Sequence, residues 1–162
     1  MRTLKYLRKV FDQCLIEAKA LAIPVGQIDG IGWAKLDNGW GICIRHTVTN
    51  TFDIRISTEC QRKVIVIDDF KAIILHEILH TCDGCFDHSK LWVKYALKID
   101  EIYGHSVSIF KTTYDFLHPD LPVLHKMVCK NCGGICEVKD PYVWEKIQNG
   151  TTAHCGWCGE NF

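Results

Sequence analysis

Ile73-Ile74-Leu75-His76-Glu77-Ile78-Leu79-His80 decides how this chain is read. Its apolar positions predict a helix that begins at a capping Asp68 or Asp69 and runs to about Thr81. Because it is apolar nearly all round, that helix belongs in the centre of the protein. Residues four apart share a helix face, so His76 and His80 can reach one zinc ion. Glu77 stands on the same turn, where it can take a proton from an attacking water and deliver it to a leaving amine. With 8 His among 162 residues, H-E-x-x-H arises by chance in about one such chain in sixty. The context adds weight, because two imidazoles and a carboxylate buried without partners are costly. Two hydrogen-bonded core histidines are the weaker alternative.

A catalytic zinc takes three protein ligands and keeps one position open. The longer pattern H-E-x-x-H-x-x-G-x-x-H fails here, with Asp83 in place of its glycine and Phe86 in place of its last histidine. His88, beyond a turn that contains Gly84, is the favoured third ligand. Glu101, with Asp100 beside it on the next helix, competes for that role and would leave His88 at the surface. Cys82 and Cys85 form a C-x2-C pair in the same loop. They read as small buried residues packing the turn, in preference to a redox pair or rival ligands.

Upstream, Leu4, Leu7, Phe11, Cys14, Leu15, Ala18 and Leu21 recur at helical spacing, which predicts an amphipathic helix from Thr3 to Ala22. A β region follows. Trp40, Ile42 and Ile44 alternate with Gly41, Cys43 and Arg45, and Phe52, Ile54 and Ile56 with Asp53, Arg55 and Ser57, so each strand has one wet face. Asn38-Gly39 suits a tight hairpin, and a meander of about three strands is the simplest arrangement. Residues 64–67 form a short apolar run. Downstream, a helix from about Ser89 to Tyr103 is closed by Gly104, and residues 105–125, with Pro119 and Pro122, read as irregular.

From residue 126 the composition turns to Cys, Gly and Asn. Cys129-x2-Cys132-Gly133 and Cys155-x2-Cys158-Gly159 are two knuckles separated by 22 residues, the spacing of a zinc ribbon. So small a segment has little core, and its metal supplies much of its stability. Cys136 and His154 are read as non-ligands. Lys126, Lys130, Lys139 and Lys146 are offset by Glu137, Asp140, Glu145 and Glu160, which gives no basic footprint for nucleic acid. Tyr142, Trp144, Trp157 and Phe162 read as the ribbon's own core.

Formal net charge is zero, with 48% apolar and 23% charged residues, which excludes a basic nucleic-acid coat and a wholly disordered chain. No apolar run approaches a membrane span, and charge interrupts Met1 to Lys9 too often for a secretory signal. The expectation is a soluble cytoplasmic protein whose 10 cysteines serve metal before disulfides.

The order of parts resembles the SprT-like family of zinc metallopeptidases. The resemblance rests on the N-terminal helix, Trp40-Gly41, Ile54-Arg55-Ile56-Ser57, His76-Glu77-Ile78-Leu79-His80, Asp87-His88-Ser89-Lys90-Leu91-Trp92 and the paired-cysteine ribbon. Asp87 and Ser89 replace glycines that the family often writes around the third ligand. The resemblance implies a zincin-like α+β fold of minigluzincin type over residues 1–125, with a small antiparallel sheet on the H-E-x-x-H helix and a zinc ribbon over 126–162. It implies one catalytic zinc on His76, His80 and His88 with Glu77 as general base. A structural zinc is expected on Cys129, Cys132, Cys155 and Cys158. The expected activity is endopeptidase cleavage of protein or peptide substrates, DNA-associated proteins and DNA being further partners. Substrate is expected along an edge strand near Phe52 to Ser57, with Trp40 and Trp92 as cleft wall or core and His105 or Tyr103 as accessory groups. Two rivals are a nucleic-acid-binding ribbon adaptor with a structural helix zinc, and a metal-dependent hydrolase of non-peptide substrates.

Overall fold

The computed structural model describes residues 1–162 except 63, 64, 113, 114, 116, 117 and 119. The Val64 end of the apolar run and Pro119 lie outside the described residues. The elements are α1 (Leu4–Ala20), β1 (Ile28–Ala34), β2 (Gly41–His46), β3 (Thr51–Ser57), a 3-10 turn (Thr58–Gln61), α2 (Ile67–Leu79) and α3 (Lys90–Tyr103). They continue with β4 (Ile109–Phe110), β5 (His125–Val128), β6 (Ile135–Val138) and α4 (Pro141–Gln148). The architecture is mixed α+β with two three-stranded sheets among the described residues.

α1 starts where Thr3 Oγ1 accepts from the Tyr6 N–H, and it buries Leu7, Val10, Phe11, Cys14 and Ala18 along one stripe. The first sheet has the order β1-β3-β2, with β1 parallel and β2 antiparallel to β3. This overturns the expected meander. Asn38-Gly39 lies in the connection between β1 and β2, two strands that do not pair, and the hairpin turn is residues 47–50 instead. The cause is the burial of β3. Phe52, Ile54 and Ile56 are buried, and so are Thr51 and Ser57, so this strand takes the centre, where both its edges are paired. Residues 52–57 therefore offer no edge to a substrate. The edge that borders the cleft described below is β2.

β2 also turns the unexpected way round. Ile42 and Ile44 are exposed and sit in register with Arg55 and Asp53, while Cys43 pairs with Ile54 on the inner face. The first residue of the strand explains this orientation. A Cβ on Gly41 would stand 2.6 Å from both Cγ and Oε1 of Glu77, so only glycine lets α2 approach here.

α2 carries Phe70, Ile74, Leu75, Ile78 and Leu79 fully buried. Asp68 and Asp69 are not its caps; Val66 takes that position without a side-chain bond, and both aspartates fall in the first turn. There they still favour the helix N-terminus, and Asp69 pairs with Lys111. α3 is capped by Ser89 Oγ on the Trp92 N–H and closed by left-handed Gly104.

The second sheet has the order β4-β6-β5. Its strand β4, parallel to β6, precedes residue 126, so the 1–125 and 126–162 segments share a sheet. They also share a core, because Cys129, Cys132 and Cys155 belong to the same buried cluster as the apolar faces of α2 and α3. Among the described residues no helix is long and apolar enough to cross a membrane.

Candidate functional site

Helix spacing brings His76 and His80 onto one face of the end of α2, and the loop closed by the Ser89 cap returns His88 to them. His76 Nε2 stands 3.1 Å from Nε2 of His80 and 3.1 Å from Nε2 of His88. The other ring nitrogens fix the tautomers. His80 Nδ1 donates to the Cys85 carbonyl at 2.9 Å, and the His88 ring donates to the Trp157 carbonyl. The Nε2 atoms of His80 and His88 thus present lone pairs toward His76. Nitrogens held by one tetrahedral zinc lie about 3.3 Å apart, so the spacing fits a shared cation. Trp92, fully buried, forms the floor, its ring 4.8 Å from His76 and from His88.

Burial holds all three imidazoles below the ordinary histidine range: His76 well below it, His80 less so, and His88 at about 4. His76 is depressed further by the rings of His80 and His88. At neutral pH all three are unprotonated donors, the form a metal requires. Glu77 lies beside them, with Oε1 4.0 Å from His76 Nε2. Burial pushes its carboxyl up to about 8.

Beside this group lies a cleft of about 220 Å³. It is lined by Trp40 and Gly41, by Ala72 and Ile73 of α2, and by Val107, Ile109 and Lys111. His76, Glu77 and His88 stand at one part of it, and Gly156 and Trp157 of the ribbon reach it as well. The lining is mainly apolar, as small-molecule and peptide sites commonly are.

The four cysteines converge separately. Cys129 Sγ is 3.5 Å from Cys158 Sγ and Cys132 Sγ is 3.6 Å from Cys155 Sγ. Those separations are far beyond a disulfide and close to the ~3.8 Å between thiolates on one tetrahedral zinc. The two knuckles repeat one backbone pattern. Cys129 and Cys155 donate to the carbonyls five residues on, and accept from left-handed Gly133 and Gly159. Gly134 N–H reaches the Cys132 sulfur. The Cys132 N–H holds the Cys129 thiol below its usual value, while burial pushes Cys132 and Cys155 up. Both groups can hold a metal ion: the ligand atoms of each lie within 4.8 Å of one another. The cysteine group fits a zinc ribbon.

The remaining predicted residues separate clearly. Glu101 lies exposed on α3, outside the histidine group. Asp100 builds the following loop, accepting from the Val107 and Ser108 N–H groups and the Ser108 hydroxyl. Cys82 and Cys85 are buried in the turn, and burial pushes both thiols up. Cys136 and His154 stand outside the cysteine group. Trp40 lines the cleft and Trp92 is core. His105 pairs with Glu17 of α1 at 3.0 Å and stacks on Tyr103, and neither His105 nor Tyr103 lines the cleft.

The ribbon aromatics do not form a core of their own. Tyr142 is 63% exposed, α4 buries no residue, and Trp157 lies against the histidines. Gly41, the Cys85 carbonyl and Trp157 were not singled out from the sequence as parts of the site. An isolated glycine inside a strand pattern was the available signal for Gly41. For the two backbone carbonyls no side-chain pattern could have served. No known protein family, curated protein or solved structure matches the chain.

Proposed function

We propose that the chain is a zinc-dependent endopeptidase of the zincin-like, SprT-like kind, with the ribbon holding a second, structural zinc. The observation that carries this reading is the convergence of three neutral imidazoles beside one buried carboxyl at an apolar cleft. A zinc ion on His76, His80 and His88 would supply a Lewis acid that polarises a scissile carbonyl and acidifies an attacking water.

Glu77 does the proton work. Its carboxyl is tuned toward neutrality by burial, which suits a group that must accept a proton and then return it to a poor amine leaving group. That demand favours peptide bonds over esters or other easily broken substrates. Gly41 keeps the carboxyl in place by leaving it room. The backbone of β2 is the edge along which an extended substrate adds as a strand, and the apolar wall of Ala72, Ile73 and Val107 takes a side chain next to the cleaved bond.

An unfolded protein substrate tests the reading, with Glu77→Gln as the decisive variant. Loss of the general base lowers the cleavage rate by about 10²–10⁴ while zinc per chain stays the same. Cleavage by Glu77→Gln at the wild-type rate would overturn the mechanism.

A further inference from the structure

Trp157 lies between Cys155 and Cys158 in the second knuckle, and its ring packs against the histidine group as well as the first knuckle. The ring centroid is 4.8 Å from His88, 5.3 Å from His76 and 5.0 Å from Trp92. Its Nε1–H donates to the Ser108 carbonyl at 3.0 Å, in the loop that Asp100 organises. The ring passes so close to Gly134 that a Cβ there would be 2.1 Å from Cδ1. Meanwhile the Trp157 carbonyl accepts from the His88 ring. One residue thus carries three attachments. Its backbone is flanked by two ribbon sulfurs, its carbonyl orients an imidazole, and its indole is fastened to the loop before β4.

We propose that Trp157 is a positioning residue that couples the two metal sites, so that filling the cysteine site orients His88 and tightens metal binding at the histidine site. A histidine ligand binds best when its second nitrogen is held by an acceptor, and loss of such a partner costs about 10–100-fold in affinity. Here the acceptor belongs to a knuckle whose shape depends on its own metal, since α4 buries no residue and the ribbon aromatics leave it without a separate core. By linkage, a loaded histidine site must tighten the cysteine site by the same factor. The inference rests on the histidine group holding a metal.

Cobalt(II) titration of the full-length chain tests this, because thiolate-to-cobalt charge transfer reports the cysteine site and the weaker visible bands of a nitrogen and oxygen environment report the histidine site. Trp157→Ala keeps the carbonyl but removes the Ser108 anchor and the ring packing that hold it in place. With the thiolate band intact it is expected to weaken cobalt at the histidines by about 10-fold, the low end of the cost of losing such a partner, and to change the shape of their visible spectrum. Trp157→Phe keeps the ring stack without the Ser108 bond and falls between; it also serves if the alanine variant fails to fold. Cys155→Ser/Cys158→Ser empties the ribbon and should weaken the histidine site at least as much. A Trp that only stabilises the fold would lower the melting temperature and leave the histidine-site affinity and spectrum unchanged; that result overturns the coupling. If His76→Ala costs the chain no bound ion, the metal reading of the histidines fails, and the coupling with it.

Discussion

The three histidines come from one helix and the loop after it, stand on Trp92, and border the main core; the four cysteines close a loop from residue 129 to residue 158 around a module with little apolar interior. The first group is pre-formed by packing. α2 would be buried for its isoleucines and leucines whether or not a cation were present, and the Cys85 carbonyl already sets His80; only His88, held by the Trp157 carbonyl, leans on the ribbon. The second group is formed by its ligands. Sulfurs of opposite knuckles stand 3.5–3.6 Å apart, and beside them the knuckles meet through the Trp157 ring over Gly134. A metal at the histidines therefore adds chemistry to a folded scaffold, while a metal at the cysteines is part of the folding energy.

The largest expected effect follows from that difference. Cys132→Ser removes a buried ligand, and structural zinc in small modules contributes on the order of 10 kcal/mol of apparent folding energy. Residues 126–162 should lose protection from limited proteolysis, and α1 to α3 should keep theirs. His80→Ala should do the reverse: one ion fewer, with the ribbon intact and a loss of stability of about 1–3 kcal/mol from the emptied site. Equal damage from both variants, measured by protease mapping and zinc content, would erase the distinction between a pre-formed and a metal-formed site.

A smaller effect tests how tightly the scaffold fixes the histidine site. Gly41→Ala places a methyl 2.6 Å from the Glu77 side chain, so either β2 or the carboxyl must move. Overpacking of this kind costs about 1–3 kcal/mol. The proton-handling group is displaced and the imidazoles are not, so turnover should fall by about 10-fold or more while zinc per chain is unchanged. Unchanged turnover would show that the site is looser than its contacts imply.

α1 and α3 were readable because a strong 3.6-residue period, the Thr3 and Ser89 caps and Gly104 all agree with the tertiary structure, and α2 because its near-continuous apolar run fits a buried helix. The strand pairing was not. Alternation marks a strand but does not say which neighbour it chooses, and β3 took the centre through the burial of Thr51 and Ser57, which periodicity does not reveal. β2 faced the wrong way for its isoleucines because a steric demand at one glycine outweighed them. The side chains of both donor groups were legible from spacing, as spacing is what places ligands on one helix face or one knuckle. The residues that hold them act through backbone atoms or cross the chain, as Trp157 does over 69 residues to His88, and no local pattern announces that.

Proton release gives the finest division between the two sites. The imidazoles are held below their ordinary range, His88 at about 4, so at pH 7 they carry no proton for a metal to displace. Burial raises the Cys132 and Cys155 thiols, so they are protonated there and must each release a proton on binding. Cysteine-site affinity should therefore fall steeply from pH 8 to pH 6, with at least two protons released per ion. Histidine-site affinity should vary much less over the same range, since the imidazoles contribute nothing to the slope until the pH approaches their lowered values. Glu77 adds one refinement. Its carboxyl, raised to about 8, is mostly protonated at pH 7, and a cation bound beside His76 favours its ionised form. The histidine site should thus release up to about one proton, and Glu77→Gln should abolish it. Calorimetry in two buffers of different ionisation enthalpy measures both counts, and a pH slope at the histidines as steep as that at the cysteines would mean that packing does not hold the imidazoles neutral.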